Sequence, residues 1–475
     1  MQRDIVVPRV EPDILSIGSM PTPSTPPVLN ESLKSCDADA ASTSNPLLLA
    51  SSISIPASPP PSSVPPLPNA EFLALLSSTT PSLSTRNATV PHLRARGLVN
   101  TGSMCFANAV LQLLVHSPPL WDLFRELGDL KGPHRAGAPE TSDCAIPLVD
   151  ATLSFFEEFP PQQVAGKPKE DEDATKEYNA VDSFKPMYMY NAMKEKRQFK
   201  TFLEGQQQDA EEFFRLYLDA LDEELLALLA SISGHKSATT APGVEEREVS
   251  QSSQTEVGKR GFTAESVESP LMRIFGGKFR STVRAPNQPD TVNIEDWRSL
   301  QLDIQHDSVH AIEDALGRMS HLQPVELGPS GISDASQQVL IEVLPPVLVL
   351  HLKRFLYDVA AGGVVKISKH VQFAPDLEIP LEIMAPIAGK FAEPVRYKLY
   401  GVLYHHSKSA GSGHYTVDVL HPNGDSDNGE AWLHIDDEAV SRVRHEDLFG
   451  GSENEQVDDR CVYMLFYCQT VPTRT

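Results

Sequence analysis

Hydrophobic periodicity changes character once along this chain, and that change limits the folds open to it. Up to about residue 232 apolar residues recur at helical spacing; past about 270 they alternate or run in short blocks between turn residues. In 105–115 (CFANAVLQLLV), Phe106, Val110, Leu113 and Leu114 fall on one face. In 209–232, Phe213, Leu216, Ala220 and Leu221 share a face while Asp219, Asp222 and Glu223 turn to water. Asp209, Glu211 and Glu212 crowd its first turn, where the helix dipole favours negative charge. The segments LMRIFGGKFRSTV, PPVLVLHLKRFLY, YKLYGVLYHH, HYTVDVL, AWLHID and CVYMLFYC read as strands. Val347–Leu352 is apolar at nearly every position and is expected to be buried on both faces. Helices first and strands later, with no internal repeat, predict an α+β domain whose helical lobe packs against a sheet.

Not all 475 residues join that domain. Residues 1–90 hold 15 of the 39 prolines and 17 serines, a composition that cannot sustain helix or ladder hydrogen bonds. Residues 1–92 are therefore expected to be disordered, with apolar clusters at Leu47–Leu49 and Phe72–Leu76 available to dock a partner. Residues 233–262, rich in Ser, Thr, Glu and Lys, read as a mobile insertion. The formal net charge of −24 argues against binding to nucleic-acid backbones. No run approaches the ~20 apolar residues of a membrane span, and the start of the chain lacks the pattern of a secretory signal. Five scattered cysteines without a CxxC pair indicate reduced thiols and no metal site, and the protein is expected in the cytoplasm, with the nucleus also open to it.

One of those thiols is placed for chemistry. Cys105 falls at the first turn of a helix after a glycine-containing loop, where the positive helix end makes a thiol more acidic. His414 opens the strand HYTVDVL and Asp436 closes AWLHID, with turn residues between. Pairing about Gly424–Asp425 puts residues whose numbers sum to 850 opposite one another, which places an imidazole beside a carboxylate. Such a carboxylate fixes the tautomer of the histidine and leaves its other nitrogen for the thiol. Asn100, five residues before Cys105, offers a side-chain amide to an oxyanion, together with the backbone N–H of Cys105. Each residue also has a plainer reading: a small buried hydrophobe, a surface His–Asp pair, a turn Asn. Asp437 competes with Asp436, because alternation puts the two on opposite faces and a one-residue slip exchanges them.

A family resemblance joins these pieces. Gly97-Leu-Val-Asn-Thr-Gly-Ser-Met-Cys-Phe-Ala-Asn-Ala-Val-Leu-Gln112 resembles the cysteine box of the ubiquitin-specific proteases (peptidase C19), and Gln206-Gln-Gln-Asp-Ala-Glu-Glu-Phe213 their second box. Leu344-Pro-Pro-Val-Leu-Val-Leu-His-Leu-Lys-Arg-Phe355 is similar to their central strand. Tyr404-His-His, Gly413-His-Tyr415, Trp432-Leu-His-Ile-Asp-Asp437 and Tyr463-Met-Leu-Phe-Tyr467 resemble the histidine box and closing strands. All occur in family order over about 93–470. Ile274-Phe-Gly-Gly-Lys-Phe-Arg-Ser281, Leu300-Gln-Leu-Asp-Ile-Gln305 and Gly413-His-Tyr-Thr-Val-Asp418 point to the ubiquitin carboxyl-terminal hydrolase 10 subgroup.

The resemblance implies a papain-like hand: a helical thumb over about 97–232, the 233–262 insertion, then β fingers and a palm over about 263–472, the whole catalytic domain spanning 93–472. It implies a thiol-dependent deubiquitinase without cofactors, with Cys105 as nucleophile, His414 as base, Asp436 as the orienting acid and Asn100 as oxyanion donor. Gln207, Gln208, Asp209, Gly413 and Tyr415 would hold the substrate. Asp209 and Glu212 would meet the arginines of ubiquitin's tail. The implied partners are ubiquitin, ubiquitinated proteins and a scaffold bound by the N-terminal region. Two alternatives stay open, a ubiquitin-binding scaffold without catalysis and a peptidase for a ubiquitin-like modifier.

Three departures from the family pattern stand out. Gly102-Ser103 replaces the usual Gly-Asn, and Ser412-Gly413-His414 the usual Gly-Gly-His. No cysteine lies between 145 and 460, so the zinc held by CxxC pairs in the fingers of many relatives is excluded by ligand count. Elsewhere plain roles are expected. Cys461 and Cys468, seven apart, serve packing on opposite faces of one strand; His405 and His406 tether a loop; Lys353-Arg354 is a solvated strand end.

Overall fold

The structure is a computed structural model that describes residues 69–77, 93–131, 146–161, 182–200, 207–233, 268–327, 332–360, 362–386, 394–407, 413–421, 431–449 and 460–470. The helices up to residue 275 are α1 (Asn69–Ser77), α2 (Cys105–Val115), α3 (Pro118–Lys131), α4 (Pro147–Glu157), α5 (Met187–Glu195), α6 (Ala210–Ile232) and the short α7 (Pro270–Phe275). Of the expected insertion at 233–262 all but Ser233, and the tail before residue 69, lie outside the described residues.

Helix α2 is buried along all eleven residues, not on one face alone. It is wrapped by α3 and α6 on one side and by the large sheet on the other, so even Asn108 and Gln112 are dry. Helix α6 starts where the sequence places it. Asp209 is its N-cap, and Oδ1 accepts from the N–H groups of Glu211 and Glu212 at 2.8 and 3.1 Å. Its apolar face departs from expectation at Asp222, which is 4% exposed. That carboxylate pairs with Arg298 and accepts the N–H of Leu271 at 3.3 Å, a compensation without which burying it would be costly.

Two segments change class. In LMRIFGGKFRSTV the first residues are helical: Pro270 sits at N1 and the Ser269 hydroxyl accepts from Met272 N–H at 3.0 Å, so a capped turn wins over the strand pattern. Residues 69–77, within the segment expected to be disordered, form α1. Phe72 and Leu76 are 2% and 0% exposed, and the Leu76 carbonyl accepts from Arg273 at 2.7 Å. The apolar cluster expected to dock a partner docks on its own helical lobe, because burying two large side chains outweighs a Pro/Ser-rich flank.

The strands are β1 (Gly277–Arg284), β2 (Thr291–Trp297), β3 (Leu300–Leu302), β4 (Gln323–Leu327), β5 (Ile332–Val343), β6 (Val347–Leu352), β7 (Phe355–Asp358), β8 (Gly363–Lys366), β9 (Asp376–Glu378), β10 (Arg396–His406), β11 (His414–His421), β12 (Ala431–Asp436), β13 (Ala439–Val443) and β14 (Arg460–Gln469). One sheet runs β13-β12-β11-β10-β14-β6-β3, with β9 beside β10; a second runs β2-β1-β5-β4; β7 and β8 form a separate hairpin. Strand β6 is buried on both faces as expected, with His351 mostly buried, since helices cover one side of the large sheet. Arg354 is not a solvated strand end but 1% exposed. Its planar guanidinium donates to the carbonyls of Val462, Ile367 and Lys369, pinning the β8 end to β14. Only Lys353 faces water. Cys461 and Cys468 are both buried packing residues.

Candidate active site

Cys105 is the first residue of α2 and is 3% exposed. The loop before it turns at Gly102, whose φ of +128° is a conformation L side chains rarely adopt. The loop is held by Asn100, whose Oδ1 accepts from Met104 N–H at 3.1 Å. This is the turn role of an asparagine, and it leaves the amide nitrogen for another use.

His414 opens β11. Its Nε2 bonds Asp436 Oδ1 at 2.5 Å and its ring also hydrogen-bonds Cys105, so the three distant segments converge. The hydrogen bond to Asp436, then that to Cys105, raises the His414 pKa to about 10 against burial, which opposes it. The same bond, before any other cause, lowers that of Asp436. An imidazolium held between a carboxylate and a sulfur is the arrangement that keeps a thiol nucleophilic.

The hairpin register differs from the expected one. Val417 pairs with Ile435 and Asp418 with His434, so paired numbers sum to 852, and Asp436 lies diagonal to His414, not opposite. The slip is two residues, which preserves side-chain parity; Asp436 therefore stays on the His414 face, within diagonal reach.

Asp437 breaks the alternation that was to send it to the other face. It lies in the two-residue turn between β12 and β13 with φ +49°, which carries its carboxylate back toward the site, 4.0 Å from His414 Nε2. Its Oδ2 accepts from Asn100 Nδ2 and its Oδ1 from Asn108 Nδ2, both at 2.8 Å. Leu98 N–H bonds its carbonyl at 2.8 Å. Thus both aspartates converge, Asp436 on the imidazole and Asp437 on the amides. One imidazole nitrogen and one oxygen of each carboxylate lie within 4.8 Å of one another. Hydrogen bonds already engage these groups, Asp436 with the imidazole and Asp437 with the two amides.

Gln207 lies across the cleft. Its Nε2 points at Cys105 Sγ from 3.8 Å and its Oε1 accepts Gly413 N–H at 2.7 Å. Gln208 beside it is half-buried. Asp209 is engaged within the chain: besides capping α6, its Oδ2 accepts the Tyr463 hydroxyl at 2.5 Å. Glu212, one turn on, is exposed, and partial burial raises its pKa. Tyr415 is 4% exposed, its ring between His405 and Tyr463 at 4.9 and 6.0 Å. His405 is buried and its pKa falls to about 3, chiefly by desolvation, so it is a neutral ring under the loop. His406 bonds Thr416 at 2.8 Å.

Sequence reading missed Asn108 and the ladder behind the site. Asp418, 0% exposed, bonds His434 at 2.6 Å and Arg460 at 2.5 Å, and His434 helps lower the pKa of Asp436. The signal for Asn108 was there, an amide three residues past Cys105 on a helix otherwise apolar but for Cys105 and Gln112.

The family model for ubiquitin carboxyl-terminal hydrolases matches residues 96–467. The probable ubiquitin carboxyl-terminal hydrolase 3 of Schizosaccharomyces pombe is 33% identical over 442 residues, 84% of this chain and 78% of the relative. Ubiquitin carboxyl-terminal hydrolase 10 of Gallus gallus is 33% identical over 402 residues, 79% of this chain but 49% of the relative, so the chain spans about half its length. Among solved structures, the SAGA Ubp8/Sgf11/Sus1/Sgf73 DUB module bound to ubiquitin aldehyde superposes with a TM-score of 0.55 at 19% identity, over 83% of this chain and 72% of the matched one. That likeness concerns the fold: the helical lobe is a thumb, the large sheet a palm, the four-stranded sheet the fingers.

Proposed function

Because the chain belongs to the ubiquitin carboxyl-terminal hydrolase family, as a member of its ubiquitin-specific proteases, we propose that it is a thiol-dependent deubiquitinase cleaving the bond after the C-terminal glycine of ubiquitin. The observation that carries this is the hydrogen-bonded series Cys105, His414 and Asp436 beside the Asn100 amide.

In this reading the Cys105 thiolate attacks the carbonyl carbon of the terminal glycine. The carbonyl oxygen takes up the negative charge and is met by Asn100 Nδ2 and the backbone N–H of Cys105. Collapse breaks the C–N bond. His414 gives its proton to the leaving amine, and a thioester to Cys105 remains. Water then attacks the thioester, His414 takes its proton, and ubiquitin departs with a free carboxylate while the thiolate is restored. Asp436 keeps the imidazole oriented and its cation stabilised in both halves. Gln207 bridges the nucleophile and the Gly413 loop, which supports a role in seating the substrate tail. For the tail's arginines Glu212 is the better-supported acidic partner, since Asp209 has three internal partners. A nucleophile that must remain reduced supports work in the cytoplasm or nucleus. A scaffold bound by the N-terminal region stays part of the proposal.

The test is a ubiquitin bearing a thiol-trapping C-terminal electrophile. Wild type should form a covalent adduct at Cys105; Cys105→Ser should form none, cleave no linked ubiquitin, and still bind ubiquitin. An adduct elsewhere, or cleavage by the serine variant, overturns the reading.

A further inference from the structure

We propose that the hydroxyl of Tyr190, on α5, positions the oxyanion-binding amide of Asn100 through Asn108 and Asp437, an inference that rests on the hydrolase reading above. Helix α5 lies outside every sequence box that carries the family resemblance, yet Tyr190 is 4% exposed and its hydroxyl donates to Asn108 Oδ1 at 2.6 Å.

A carboxamide has two unlike ends, and which end faces which neighbour is decided by its partners. With Oδ1 of Asn108 held by the phenol, Nδ2 must face Asp437. It donates to Oδ1 at 2.8 Å, with a longer bond to the Leu98 carbonyl at 3.3 Å. The other Asp437 oxygen holds Asn100 Nδ2 at 2.8 Å, while Met104 N–H fixes Asn100 Oδ1 at 3.1 Å. One hydrogen of Asn100 Nδ2 is thereby committed to Asp437, and the second is set for an oxyanion at Cys105. Removing the phenolic O–H leaves Asn108 Oδ1 unpaired in a buried place, a costly state. The amide then rotates to find a donor. A full flip would set its oxygen against the Asp437 carboxylate, so either motion disturbs the group that aims Asn100. Burial and the Asp437 charge both hold Tyr190 in its protonated, donating form.

Tyr190 touches no reacting atom, so its signature is selective. Tyr190→Phe in the full chain should lower kcat on a fluorogenic ubiquitin substrate about tenfold, less than the loss of an oxyanion donor outright, with KM unchanged within about twofold. Binding of ubiquitin aldehyde, whose hemithioacetal carries the oxygen that Asn100 would meet, should weaken in the same ratio. Alkylation of Cys105 by iodoacetamide builds no oxyanion and should keep its wild-type rate. In an Asn100→Ala background Tyr190→Phe should have no further effect on kcat. A wild-type kcat in Tyr190→Phe overturns the inference. So does alkylation that slows in step with turnover, as misfolding or a misplaced His414 would cause, or a full additional loss on top of Asn100→Ala. If wild type itself turns over no ubiquitin substrate, the hydrolase reading fails and this inference with it; an active wild type beside an indifferent Tyr190→Phe refutes this inference alone.

Discussion

A single methyl group at Gly413 probes how tightly His414 is seated. A Cβ built there lies 2.1 Å from His405 Nε2, 2.7 Å from its Cε1 and 2.8 Å from the His406 carbonyl oxygen. Ordinary contact begins near 3.4 Å, so the clash requires a displacement of about 1.3 Å, the difference between 3.4 and 2.1 Å. The imidazole of His405 cannot supply it. That residue is 3% exposed, Phe355 packs edge-on at 5.2 Å, Tyr415 lies at 4.9 Å, and the His405 carbonyl accepts from Lys366 at 3.1 Å. The Gly413 segment must move instead. Adding 1.3 Å to its 2.7 Å bond with Gln207 Oε1 gives about 4.0 Å, beyond a hydrogen bond. Gly413 is also peptide-bonded to His414, so the imidazole moves away from Cys105 with it.

Misplacing a reacting group by about 1 Å costs on the order of 10²-fold in rate. Gly413→Ala should therefore lower kcat/KM on a fluorogenic ubiquitin substrate by about two orders of magnitude. Stability should change far less, because alanine restricts the unfolded chain and offsets part of the strain by about 0.4–1 kcal/mol. Adding His405→Ala removes the two closest contacts of the methyl and leaves the one with the His406 carbonyl oxygen, so the double variant should regain part of the activity lost in Gly413→Ala. Activity of the single variant within about threefold of wild type, or a double variant no better than the single, would refute the reasoning.

The remaining expectations concern α1 and the His414–Asp436 pair. Phe72→Ala should lower the urea midpoint by the equivalent of about 3 kcal/mol, whereas an unaltered midpoint would mean that α1 adds nothing to the stability of the thumb. The pKa of His414 is raised from 6.5 to about 10, so its contribution to stability is complete below about pH 6.5 and is lost as pH rises through about 10. Asp436, with its pKa lowered, contributes above its ordinary value of 3.8. The Tm difference between wild type and Asp436→Asn should thus be largest near pH 4–6.5 and shrink toward pH 10; a constant difference would contradict this pairing.

What was legible in the sequence, and what was not, divides along a physical line. Cys105, His414 and Asp436 stand at element ends that turn chemistry and periodicity mark locally, and the hairpin survived a wrong register because a two-residue slip keeps every side chain on its face. Asp437 was misplaced because alternation holds only while the backbone stays extended, and a φ of +49° ends it. Arg354, Asp222 and Phe72 were misread because their environment is supplied by distant chain: three carbonyls, Arg298, and the thumb surface over Arg273. Composition cannot reveal such partners, but it can reveal the need for them. Asn108 and Gln112 stand on a helix whose other residues, apart from Cys105 itself, are all apolar. An amide buried among aliphatic side chains must be met by groups from elsewhere. Gln112 finds the Arg96 carbonyl at 2.7 Å, Asn108 finds Asp437 and Tyr190. At Gln112 the obligation is met by a neighbouring loop; at Asn108, one turn past Cys105, it was the sequence's strongest statement that residues far along the chain return to Cys105.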